Sequence, residues 1–183
     1  MSEETIIRQC APTLAGLKTG SLFSCACTDA SALREELRCW NRRLAGKGMR
    51  ILPMRFADGR ALIYVYRPAQ LAHDLCDPDA RSMLCERGYH PECSEACLAK
   101  LIRRLGECGC FPHEIGLFLG YPPEDVRGFV EHQAGGFKLC GCWKVYGDES
   151  RARETFAKYK RCTAAYHALW KRGKSVEWLA VAG

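Results

Sequence analysis

The sequence predicts an α+β fold, and three observations carry that prediction. Two β-rich runs flank Asp58-Gly59; short helical segments punctuated by Pro, Ser, Asp and Gly follow one another from about residue 68 to 135; and a helix-period run leads toward the C-terminus. The expected architecture is a small antiparallel or mixed sheet of about four strands, including a hairpin at residues 50–67, packed with helices. A helical insertion spans 68–135, and a long C-terminal helix closes the chain. One domain over residues 1–183 is expected, because a chain of 183 residues removes roughly 70% of its unfolded surface from water without disulfide staples.

Each element has a local reason. "EETIIRQCAPTLAGLKTG" reads as a helix interrupted at Pro12 and ended by Gly20, and "SLFSCAC" as a short strand. In "DASALREELRCWNRRLAGKG", Asp29 or Ser31 supplies a cap, while Leu33, Leu37, Trp40 and Leu44 fall on one stripe. "MRILPMRFADGRALIYVYRP" is a hairpin, since Asp58-Gly59 supplies the positive φ of a tight turn. In its second strand Ala61, Ile63 and Val65 alternate with Leu62, Tyr64 and Tyr66, so both faces read as buried and the strand as internal; Pro53 puts the first strand at an edge or bulge. Helix starts and stops then recur through Gln133, and the last helix is expected from about Glu149 to Arg172.

Composition narrows the function classes. Hydrophobic residues at 48% and charged residues at 26% are globular values, and no apolar run approaches the ~20 residues of a membrane-spanning helix. The opening "MSEETIIRQC" lacks a basic region followed by an apolar run, so a cytoplasmic setting without a membrane partner is expected. There the thirteen cysteines are expected as thiols or metal ligands, an odd number being a poor disulfide framework. The net charge of +6 forms no concentrated patch, and nucleic acid is not expected as a partner.

"KLCGCWKVYGD" carries the most chemistry. Read as one strand, Lys138–Tyr146 places Lys138, Cys140, Cys142 and Lys144 on one face and Leu139, Trp143 and Val145 on the other. Ammonium neighbours favour thiolate, the nucleophilic and metal-binding form. Cys140 and Cys142, with Cys10, are therefore the candidate metal ligands, and zinc or iron the candidate metals. Cys25/Cys27, Cys108/Cys110 and Cys93/Cys97 form further pairs, but no C-x-x-C and no zinc-ribbon or iron–sulfur spacing occurs. The alternative for each thiol is a small hydrophobe in the core.

His113 and Glu114, in the first turn of a helix opened by Pro112, are candidate catalytic residues together with Lys144. Position 117 is Leu, so the two-histidine zinc pattern of metalloproteases is absent. The two helices joined at Gly120-Tyr121-Pro122 have the outline of a helix-turn-helix, yet Glu124 and Asp125 would face phosphates where DNA should be met. Phe156, Tyr159, Thr163, Tyr166 and Trp170 form a stripe along the last helix, a core pattern first and a stacking platform second. No phosphate-binding loop, nucleophile elbow or dinucleotide fingerprint is present.

The runs "CAPTLAGLKTGSLFS", "GRALIYVYRP", "FPHEIGLFLGYPPEDVRGF" and "CGCWKVYGD", in that order, resemble a bacterial domain-of-unknown-function family, DUF3793, over nearly the whole chain. The resemblance implies no activity or cofactor. It places Cys10, His113, Glu114, Cys140, Cys142 and Lys144 inside the signature runs. Three functions stay open: a metal- or redox-responsive thiol protein, an enzyme on a small anionic substrate, and a non-catalytic adaptor for a protein or nucleic acid.

Overall fold

A computed structural model describes residues 1–107 and 111–183. In chain order the elements are α1 (Glu3–Leu14), β1 (Gly20–Ala26), α2 (Ala30–Leu44), β2 (Arg50–Ala57), β3 (Arg60–Tyr66), α3 (Pro68–Leu75), α4 (Pro78–Glu86), α5 (Ser94–Glu107), α6 (Ile115–Phe118), α7 (Pro123–Glu131), β4 (Leu139–Cys140), β5 (Lys144–Val145), α8 (Glu149–Lys171) and α9 (Val176–Leu179). The class is α+β, as expected. Two compact units form: residues 1–70 with 161–183, and residues 71–160.

The first unit is an antiparallel sheet in the order β1-β3-β2 with helices packed on it. β3 is the central strand, which explains its two apolar faces. β2 lies at an edge, and its register shifts between Pro53 and Arg55, where proline cannot donate to the ladder. Asp58 and Gly59 both take left-handed φ, 52° and 69°, the requirement of a two-residue hairpin turn. Asp29 caps α2 through Oδ1, which accepts from Ser31 and Ala32, and all four stripe residues of that helix are buried. Pro12 does not interrupt α1. It sits in the last turn, and the helix runs on to Leu14.

That helix end is held by a buried arginine. Arg67 donates from Nε to the Thr13 carbonyl at 2.7 Å and from one terminal nitrogen to Leu14 and Val181 at 2.7 and 2.8 Å. It thereby satisfies carbonyls that α1 leaves without intrahelical partners. Burial pushes its pKa down from the ordinary value. The short α9, absent from the sequence reading, packs Val176 and Leu179 into the same core.

The second unit is mostly helical. Its strands differ from expectation: Lys138–Tyr146 is not one strand of the large sheet but a two-stranded hairpin, with Leu139 paired to Val145 and Cys140 to Lys144. The bend falls on Gly141-Cys142-Trp143. Glycine is required at 141 because a Cβ there would penetrate the Phe156 ring. No helix among the described residues is long and apolar enough to cross a membrane.

Candidate functional site

The hairpin forms one wall of a cleft in the second unit, and a buried carboxylate fixes it there. Asp125, in the first turn of α7, accepts the indole N–H of Trp143 at 2.7 Å through Oδ2. Its Oδ1 accepts the backbone N–H groups of Tyr146 and Gly147 at 2.7 and 2.8 Å. Trp143 stacks on Tyr121 at 4.8 Å and meets Phe156 edge-on at 4.6 Å, so its orientation is determined on both sides.

The resulting cavity has a volume of about 390 Å³ and is lined almost entirely by apolar groups, among them Phe111, Ile115, Tyr121, Val126, Phe129 and Trp143. That volume lies at the lower end of the small-molecule range. Phe111 at its edge is 45% exposed, and Phe137, beside Lys144, is 40% exposed. Large aromatic side chains held this far into water are apolar surface without a cover among the described residues.

Few polar groups reach this cavity, and three of them are sequence candidates. Antiparallel pairing puts Cys140 and Lys144 on the same face of the hairpin, and both line the cleft. His113 lines it too, with its ring against Phe129 at 4.9 Å. The Lys144 ammonium donates to the Ala134 carbonyl at 2.7 Å and lies 4.7 Å and 5.7 Å from the ring centres of Phe137 and Phe129.

The other candidates lie elsewhere. Glu114 is buried away from the cleft, accepting the Tyr89 hydroxyl at 2.8 Å, with Arg104 Nε 3.0 Å away in an ion pair not aligned as a hydrogen bond. Burial, and then this carboxylate, push Tyr89 upward. His113, Glu114 and Lys144 therefore do not converge as a triad. Cys142 is exposed in the hairpin bend, where its carbonyl accepts the Tyr121 hydroxyl at 3.3 Å. Burial, and then the Cys142 thiol, push Tyr121 up to about 12.

Cys10 belongs to the first unit, fully buried among Ile6, Ile7 and Leu14, and burial pushes its thiol up to about 12. It behaves as a small hydrophobe. Cys25 and Cys27 pack partly buried against the same core, and Cys97 is buried in α5 with Cys93 exposed just before that helix. Cys108 and Cys110 lie outside the described residues. Among the described residues, no three His, Cys, Asp or Glu side chains are grouped so that they could hold a metal ion.

Sequence reasoning did not find Asp125, Tyr121, Phe111 or Phe129 as parts of one site. The available signal was Trp143, whose indole N–H requires an acceptor when buried, and Asp125 was read only as an acidic first-turn residue. The family model described as a protein of unknown function (DUF3793) matches residues 6–180, and the chain belongs to that family. No curated protein and no solved structure matches it.

Proposed function

We propose that this DUF3793 member is a small-molecule-binding protein whose site is the aromatic cleft of residues 71–160. The single observation that carries this reading is the cleft itself: about 390 Å³, aromatic and aliphatic in its walls, with Cys140, His113 and Lys144 among its lining residues. An apolar cavity with a few placed polar groups is the usual form of a ligand site. The wall is also preorganised, because Asp125 holds Trp143 before any ligand arrives.

The test is calorimetric titration with methyl 2-naphthoate, a neutral planar probe, against the wild type and Phe129→Ala and Phe111→Ala variants. Phe111 is exposed and Phe129 only partly buried, so both variants are expected to fold. Binding that weakens several-fold in each supports the reading. No binding of this ester or of its parent acid to the wild type contradicts it.

A second reading keeps a thiol role for Cys140, favoured by its exposure and its cross-strand pairing with Lys144. The metal- or redox-responsive function expected from "CGCW" then rests on Cys140 and Cys142. Alkylation of Cys140 that is slowed by the naphthyl probe supports a thiol acting inside the cleft; an unchanged rate speaks against it.

A further inference from the structure

We infer that the cleft takes a planar apolar molecule carrying one anionic group, in the simplest case an aromatic carboxylate, with Lys144 as its counter-ion. This rests on the binding reading above and names the ligand class for it.

The surroundings of the Lys144 ammonium carry the inference. Lys144 is half-buried, with its ammonium near the rings of Phe129 and Phe137, and no carboxylate lies within ion-pairing distance of it among the described residues. A partly desolvated cation without a counter-ion is costly, and an anion placed beside it gains more than in bulk water. Its bond to Ala134 uses one of three N–H donors, leaving two for a ligand.

The carboxylate in the same wall, Asp125, keeps its negative charge, but it makes no ion pair with Lys144 and its oxygens are already occupied. Both oxygens of Asp125 are engaged by the three N–H groups of Trp143, Tyr146 and Gly147, so it offers little to a cationic ligand. His113 lines the same cavity, with its ring against Phe129. Phe111 and Phe129 in the lining give the flat body of the ligand aromatic surface to pack against. Lys144 acts as a point charge, so the site selects for negative charge rather than for one oxyanion geometry.

Calorimetric titration of the full chain with 2-naphthoate, methyl 2-naphthoate and 2-naphthylmethylammonium at low salt tests this. The acid is expected to bind about tenfold tighter than the ester, the worth of one charge-assisted hydrogen bond, and the ammonium compound weakest. Lys144→Met is expected to abolish the preference for the acid while retaining ester binding, which also reports that the variant is folded. Lys144→Arg is expected to keep the preference. If acid and ester bind the wild type equally, or Lys144→Met keeps the gap, the anion inference is overturned and the binding reading stands. If none of the three binds, the binding reading fails and the inference with it. Should Lys144→Met not fold, the wild-type comparison and Lys144→Arg still decide.

Discussion

Asp125 accepts the indole N–H of Trp143 at 2.7 Å, and this one bond joins the first turn of α7 to the bend of the β4–β5 hairpin. The same carboxylate takes two backbone N–H groups just beyond β5, so a single buried side chain ties α7 to the hairpin wall of the aromatic cleft.

Asp125→Asn is therefore expected to destabilise the protein by about 1–3 kcal/mol. An amide oxygen can still accept from Tyr146 and Gly147, but its NH2 group then faces the Trp143 donor. Urea denaturation measures the loss, and ligand titration should show a weaker cleft at temperatures where the variant remains folded.

Gly141→Ala is expected to cost about 1–3 kcal/mol, because the added methyl must displace the Phe156 ring. Phe156→Leu in the same chain should recover part of that loss. Thermal unfolding of the two single variants and the double variant gives the coupling directly; strict additivity would rule out the contact as the cause.

Much of the first unit was legible because its signals are local. Asp58-Gly59 specifies the hairpin turn, Pro53 marks an edge strand, and the spacing of Leu33, Leu37, Trp40 and Leu44 gives the buried stripe of α2. The cleft was only partly legible. Cys140, Lys144 and His113 stood out by type, yet their meeting depends on the hairpin bend at 141–143, where Gly141 accommodates a ring fifteen residues onward. A single-strand reading put Cys142 beside Cys140, whereas the bend makes Lys144 its cross-strand neighbour. Glu114 looked catalytic beside His113. Its partners Tyr89 and Arg104 come from segments whose approach no local pattern encodes.

Arg67→Met is expected to destabilise the first unit by about 1–3 kcal/mol, since the Thr13, Leu14 and Val181 carbonyls lose a charged donor, although Thr13 and Leu14 keep backbone donors from Gly16 and Val181. Arg67→Lys should restore little, because one ammonium cannot reproduce the planar fork that serves Thr13, Leu14 and Val181 together. Hydrogen exchange at α1 and α9 should locate the loosening.

Alkaline pH should destabilise the protein through acids whose protonated forms the fold favours, Cys10 and Tyr121 among them. Burial raises the Cys10 thiol from about 9 to about 12 in the folded chain, so the folded state holds this proton more tightly than the unfolded state. The resulting stabilisation is fully present below pH 9 and is lost as pH rises from about 9 to 12. Tyr121, raised from 10 to about 12, acts in the same direction over the upper part of that window. Urea midpoints should fall between pH 9 and 11, with a shallower fall in Cys10→Ala; identical slopes would exclude Cys10 as a source.

The most direct test of the central claim is a titration of isotopically labelled protein with methyl 2-naphthoate, followed by NMR. Saturable shifts are expected at the Trp143 indole N–H and the amides of Gly116, Val126 and Lys144, with the first-unit core unchanged. Absence of saturable shifts at those residues, or shifts confined to other parts of the chain, would contradict it.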